Sequence, residues 1–541
     1  MGRILLLGLL LLIFSKAGYS QVTFTSSNLP IIVINTSGAV ISDEPKIMAD
    51  MGIIDNGPGN RNQVTDPFNN FKGKIGIERR GSSSQMFPKS QYGIELWTKT
   101  GADSSAALLG MPEEEDWILF APYNDKSLMR DVLAYHMARK MGRYAPRTRY
   151  CELVLNGAYQ GLYVLIEKVK RDNERVDVSR LDPNETSGDD VTGGYIIKID
   201  KITGGGGSGF LSAYPPPNRS GAQVVYFQYE YPDPDQIVPA QAQYIKNYVD
   251  SFEKALSSPE FHDATVGYRK YADASSFVDY MIMNEVSKNV DAYRLSTFLH
   301  KKKDSDGGKL FLGPVWDFNL GFGNANYCTQ GNPEGFVYDF NSLCPTDGWL
   351  IPFWWERLLK DVKYKSELGR RWKELREGPF QIQTLHSYID SVANVLGEAQ
   401  QRNFQRWPVL GQYVWPNSYV GQSFSSEVQW LKNWLSSRAV WLDVQWGNLY
   451  SPVVQKEQVL KVSPNPSSGK FLLEVPSDLR LASISVMDAI GRSVYVKPHN
   501  SDNEPFEIDL TTLPHGVYLI TLQLANGETV IRRIVKTDKQ I

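Results

Sequence analysis

Between residue 22 and about residue 120 the apolar side chains recur at short alternating spacing. "IIVINT", "KIGIERRG" and "YGIELWT" are β-rich runs bounded by Gly, Pro, Asn and Ser, the pattern of strands joined by turns. At "NDKSLMRDVLAYHMARKMG" the period changes. Leu128, Met129, Val132, Leu133, His136 and Met137 fall at helical spacing, Asn124 to Ser127 offer a cap, and Gly142 suits a C-terminal stop. Strands return in "CELVLNGAYQGLYVLIEKV", where "NGAYQG" reads as a hairpin turn, and in "GGYIIKID". With helices expected from about 235 to 290 and again from about 352 to 450, the chain is of the α+β class.

A second break comes near residue 458. Beyond it "GKFLLEV", "ASISVMDAIGRSVYV", "FEIDL", "GVYLITLQL" and "ETVIRRIVK" are short alternating strands with turn residues between them, as expected of a small all-β sandwich at 461–541 after a linker at 451–460. At the other end, "MGRILLLGLLLLIFSKAGYS" has a basic start, an apolar run too short for a membrane span and a small-residue finish. It reads as a secretory signal peptide over 1–20, and no later segment is apolar enough to be a transmembrane helix. The main domain then spans 21–450, β-rich to about 200 and helical from about 235. Nine of the 13 tryptophans lie between 354 and 446 at helical spacing, which suits core positions better than a sugar-stacking face.

Basic and acidic residues are balanced, 57 against 60, and interspersed, which excludes the basic footprint of a nucleic-acid binder. Three cysteines exclude a disulfide-rich scaffold. Cys328 and Cys344 flank a loop and either pair or stay reduced, whereas Cys151 in "RYCELVL" reads as a buried small hydrophobe. The insertion "GGGGSG" at 204–209 has neither the helix nor the Gly-Lys-Ser/Thr end of a phosphate loop.

Histidine and cysteine spacing gives no zinc site, and no Ser or Cys nucleophile stands in a recognisable setting. Carboxylates and basic residues in Gly- and Ser-rich surroundings remain, a set suited to phosphate and metal, because phosphoryl transfer depends on placement and charge neutralisation. Four places supply such groups. "IERRGSSSQMFPKSQYGIEL" puts Arg80, Gly81 and Ser83 in a turn with Lys89 beyond it, either a phosphate-binding turn or an ordinary hairpin. "GLYVLIEKV" is an apolar strand ending in Glu167, either a nucleotide-edge contact or a core strand reaching solvent. "NEVSKNVDAYRLSTFLH" follows a helix and holds Asp291, placed to orient or deprotonate a hydroxyl. "KLFLGPVWDFNLGFGN" runs an apolar strand into Asp317, with Asn319 two residues on, oxygen ligands suited to Mg²⁺. A second Asp-Phe-Asn at 339–341 has no such setting.

The blocks "FKGKIGIERRGSSSQMFPKSQYGIEL", "DWILFAPYNDKSLMRDVLAYHMARKMG", "CELVLNGAYQGLYVLIEKVKRDNERVDVSRL", "GGYIIKIDK" and "GPVWDFNLGFGN", in this order, resemble the CotH family of atypical secreted-type protein kinases. The resemblance covers about 28 to 450. It implies a two-lobed protein-kinase-like fold and an ATP- and Mg²⁺- or Mn²⁺-dependent kinase that phosphorylates Ser or Thr of partner proteins. Asp291 resembles the catalytic aspartate and Asp317 the metal ligand. Lys89 is the expected phosphate contact and Glu167 the nucleotide edge, with Arg80, Gly81 and Ser83 in the turn above. A CotH fold that has lost catalysis, serving as a surface or matrix protein, is the alternative. "SPNPSSGKF", "VMDAIGRSVY", "LPHGVYLI" and "ETVIRRIVK" resemble the type A sorting domain of the type IX secretion system of Bacteroidetes, which implies that machinery as a partner and a secreted or outer-surface destination.

Overall fold

The computed structural model describes residues 22–201, 208–449, 461–474, 481–489, 491–498, 506–524 and 529–538. The leader expected over 1–20, most of the Gly-rich insertion and the linker at 451–460 lie outside the described residues. The chain divides into two units, Met1–Trp355 with Leu375–Trp441, and Glu356–Glu374 with Leu442–Ile541.

In the first unit β1 (Ser26–Ser27) and β4 (Asn62–Gln63) form a short ladder. Strands β2 (Ile31–Asn35), β3 (Ile47–Ile54), β5 (Phe71–Arg80), β6 (Gln91–Trp97), β7 (Asp116–Phe120), β8 (Thr148–Leu155) and β9 (Ala158–Glu167) close into a barrel in the order β2-β3-β5-β6-β7-β9-β8. Every pair is antiparallel except β2 with β8, which closes the ring. Period-two patterning fills the interior. Ile32 and Ile34, Met51 and Ile53, Ile75 and Ile77, Ile94 and Leu96, Trp117 and Leu119, Cys151 and Leu153, and Tyr163 and Leu165 give one i, i+2 pair from each strand to a single buried cluster. Burial of an aliphatic side chain of this size stabilises by about 1.5–3 kcal/mol, so the cluster dominates the barrel's energetics. The β8–β9 turn has Asn156 at φ 49° and Gly157 at φ 77°, the positive pair that a tight hairpin needs.

Helix α1 (Arg130–Lys140) lies between β7 and β8 in the chain. Its entry is fixed by Asp125, whose Oδ2 accepts the Arg130 backbone N–H at 2.8 Å and whose Oδ1 pairs with the buried Arg130 guanidinium. A second sheet, all antiparallel, contains β10 (Tyr195–Ile199), β11 (Gly209–Leu211), β12 (Tyr226–Tyr231), β13 (Thr297–Lys301) and β14 (Leu310–Leu312) in the order β11-β12-β10-β13-β14. The part of the chain beyond 235 is therefore not purely helical, because β13 and β14 form a hairpin within it. Register sets the functional end of this sheet: Ile199 pairs with Thr297 and Leu299 with Leu312. Asp200, Ser296 and the segment leaving β14 consequently emerge together.

Helices α2 (Pro239–Ser257) and α3 (Ala274–Ser287) precede that hairpin, and α4 (Phe340–Leu343), α5 (Trp354–Leu358), α6 (Val362–Glu377), α7 (Ile382–Val395), α8 (Ala399–Arg406) and α9 (Phe424–Trp446) follow it. Trp354, Trp355, Trp372 and Trp434 on these helices are buried. Lys288, at φ 45°, ends α3 in the left-handed conformation and turns the chain toward Asp291. Glu285 on α3 is fully buried and pairs with Arg438 of α9 at 3.1 Å while accepting the Val337 N–H at 2.8 Å. Cys328 and Cys344 are disulfide-bonded, with Cα atoms 5.9 Å apart.

In the second unit β15 (Lys461–Ser463), β16 (Lys470–Glu474) and β19 (Phe506–Asp509) form one sheet. The other contains β17 (Leu481–Asp488), β18 (Ser493–Pro498), β20 (Gly516–Leu524) and β21 (Thr529–Lys536). Phe471, Leu473 and Ile508 of the first sheet share a core with Ile484, Val486, Ile520, Leu522 and Ile534 of the second, which makes a sandwich. Among the described residues no helix is long and apolar enough to cross a membrane.

Candidate active site

Where the open end of β5 and the β5–β6 turn meet the emerging end of the second sheet there is a cavity of about 320 Å³. Arg80, Gly81, Ser82, Ser83 and Ser84 line it from the turn, Asp131 and Tyr135 from α1, and Lys198, Asp200 and Lys201 from β10 and its exit. Asp291 and Ser296 come from the loop between α3 and β13, and Trp316, Asp317 and Asn319 from the segment after β14. No His or Cys is among these residues. The donor set is oxygen from carboxylates and amides, with Asn124 beside Asn319, and it fits a hard cation such as Mg²⁺ or Mn²⁺.

Asp317 has φ 62°, a left-handed conformation that is uncommon outside glycine and costs on the order of 1 kcal/mol. Its backbone is held there: the Asp317 N–H donates to the Tyr135 hydroxyl at 3.2 Å, the next N–H, of Phe318, donates to Asp131 Oδ1 at 2.6 Å, and the Asp317 carbonyl accepts from Asn289 Nδ2 at 3.1 Å. Burial pushes the Asp317 carboxyl up to about 6, the Asp291 and Asp200 carboxylates push the same way, and Arg80 and Lys201 oppose them. Asp291 accepts a hydrogen bond from Arg294 Nη2 at 2.9 Å, and Arg294 is itself fixed by Asp347 at 3.0 Å and by the face of Phe340. Asn289 Oδ1 accepts the Asp291 N–H at 3.3 Å, so one amide ties the Asp291 loop to Asp317. Asn319 donates weakly to Asn124 Oδ1 at 3.4 Å, and its carbonyl accepts from Asn324, which Asn417 also contacts.

The positive groups face these acids. The Arg80 guanidinium lies 6.0 Å from the Trp316 ring centre; burial lowers its pKa and Asp317 opposes that. Lys198 pairs with Glu230 at 2.8 Å, so that burial, which alone would lower its pKa, is outweighed and the pKa is raised. Lys201 Nζ sits over Trp349 and has no ion-pair partner among the described residues. At the turn, Gly81 has φ 107° and a Cβ there would meet Ser84 Oγ at 2.1 Å. The positive φ favours glycine at this position, and Ser82, Ser83 and Ser84 continue the cavity wall after it.

Six expected site residues, Asp291, Asp317, Asn319, Arg80, Gly81 and Ser83, are brought together in this way. Two are not. Lys89 is buried inside the first unit, where its Nζ donates to the Leu162 carbonyl and to Asn403 Oδ1 at 2.8 Å, so it is a core amine tying β9 to α8 and not a phosphate contact. Glu167 is fully buried and bound by Arg147 at 2.8 Å and Arg175 at 3.3 Å, which makes it a structural ion-pair centre; its neighbour Ile166 is the one that reaches the cavity. The titratable cavity residues that the sequence did not single out are Asp131, Tyr135, Lys198, Asp200 and Lys201. Charged groups in the apolar run "YIIKIDK", and an acid and a tyrosine four apart on a buried helix, were the available signals. The acidic run Glu114, Glu115, Asp116 lies elsewhere and is already satisfied by Lys170, 2.8 Å from Glu114 and 3.0 Å from Asp116.

Residues 77–442, more than half of the chain, match the CotH kinase protein family. Residues 461–537 match the secretion system C-terminal sorting domain, which directs a protein for export. No curated protein matches the chain.

Proposed function

The chain belongs to the CotH kinase protein family, and we propose that it transfers the γ-phosphoryl group of ATP to Ser or Thr hydroxyls of a partner protein, with Mg²⁺ or Mn²⁺. The supporting observation is the convergence of Asp291, Asp317, Arg80, Lys201 and the Gly81–Ser84 turn on one cavity. The barrel and the five-stranded sheet act as the two lobes of a kinase-like fold in this reading, with the nucleotide between them. Asp317 and Asn319 would hold a divalent cation, which would supply charge neutralisation to the phosphates. Arg80, Lys201 and the N–H groups of Ser82 to Ser84 fix the phosphate oxygens, a role Lys89 cannot take from its buried position. Asp291, oriented by Arg294, accepts the proton of the acceptor hydroxyl as its oxygen bonds to the γ-phosphorus and the bond to ADP breaks. The leader and the tail route the chain across the inner membrane and through the type IX machinery, to the outer surface or the medium.

Calorimetric titration of the full chain with ATP and Mg²⁺ tests the nucleotide site. Saturable binding that Arg80→Ala weakens about tenfold is expected; no binding in the wild-type chain contradicts the reading.

A further inference from the structure

Asp131 stands in the first turn of α1 and reaches the cavity wall. Its Oδ1 is used, accepting the Phe318 N–H at 2.6 Å. Its Oδ2 is buried with no hydrogen bond within 3.5 Å, on a residue only 3% exposed, and the Tyr135 hydroxyl is the side-chain donor beside the carboxylate. One turn along the same helix face, the Tyr135 hydroxyl takes the Asp317 N–H. The pair at i and i+4 therefore fixes two successive backbone groups and sets Asp317 in its left-handed conformation beside Asp131. No ion pair joins Asp131 to a basic residue among the described residues, and the adjacent Arg130 pairs instead with Asp125 and, at 3.1 Å, with Ser127 Oγ. A buried carboxylate with no close donor at one oxygen and no ion pair is costly, and a second acid beside it adds repulsion. A hard cation shared by both carboxylates removes both costs.

We infer that Asp131, through Oδ2, is a second carboxylate ligand of the divalent cation that Asp317 holds, so that α1 and the segment after β14 each supply one oxygen. This rests on the reading of Asp317 as the cation ligand. Because Tyr135 and Asp131 hold the backbone N–H groups of Asp317 and Phe318, the two acids are placed side by side in the protein alone, and the cation is expected to bind without nucleotide.

The test is Mn²⁺ binding to the full chain without ATP, followed by electron paramagnetic resonance, in wild type, Asp131→Asn and Asp317→Asn. Asparagine keeps an Oδ1 for the Phe318 N–H and removes the charge. A loss of Mn²⁺ affinity of about tenfold or more in each variant supports the inference. Hydrogen–deuterium exchange of the wild-type chain with and without Mn²⁺ is independent of whether the variants fold. Protection of peptides from both 128–140 and 313–320 supports the inference. Protection confined to 313–320, or Asp131→Asn binding like wild type, overturns the role of Asp131 and leaves that of Asp317. No Mn²⁺ binding in the wild type overturns both.

Discussion

At the scale of single residues, Lys89 shows how burial decides a role. An amine with two N–H donors meets two acceptors, Leu162 O and Asn403 Oδ1, and burial pushes its pKa down to about 7. The unfolded chain keeps this proton up to the ordinary lysine value of about 10.5, whereas the folded chain releases it near 7. Folding stability therefore rises between pH 7 and about 10.5, by up to about 1.4 kcal/mol per pH unit, and the group contributes no slope below 7. Lys89→Met removes the term. Its stability relative to wild type, from urea unfolding at several pH values, is expected to be most favourable at pH 7 and to fall steadily toward pH 10; parallel curves contradict this. The sequence could not place Lys89, because its partner Asn403 is 314 residues away and no local pattern encodes that distance. Asp291 and Asp317 were legible because each is a carboxylate at the end of an apolar element, where solvent or a ligand must meet it.

At the scale of elements, the site depends on how strands and helices end. The β5–β6 turn favours glycine at 81, where φ is 107° and any side chain would be strained. Gly81→Ala should strain the turn by more than about 1 kcal/mol and raise KM for ATP roughly tenfold, with kcat changed less. Steady-state kinetics against ATP and against acceptor separates the two; an unchanged KM for ATP removes the turn from the phosphate site. The strands and α1 were readable from apolar period. The convergence of β10, β13 and β14 was not, because the Ile199–Thr297 and Leu299–Leu312 registers are tertiary choices. Asp200 and Lys201 therefore looked like an ordinary strand end. Asp131 was hidden for another reason: a charged residue in the first turn of a helix ordinarily faces water, and only packing against the Asp317 segment buries it.

At the scale of the whole molecule, the catalytic reading and the export reading occupy different parts of the chain and can fail separately. The sandwich at 461–537 has its own core, so it should act as a portable address. Residues 461–541 fused behind a secreted fluorescent protein, in a host with type IX secretion, should carry the reporter to the surface or medium; retention in the periplasm contradicts the export reading. Phosphoryl transfer itself is measured with the full chain, γ-labelled ATP, Mg²⁺ and a Ser-rich acceptor protein. Label on Ser or Thr is expected in the wild type, at a rate about 100-fold or more lower in both Asp317→Asn and Asp291→Asn. Equal label in all three, or none in the wild type with either Mg²⁺ or Mn²⁺, would contradict it and leave a CotH fold retained for a structural role.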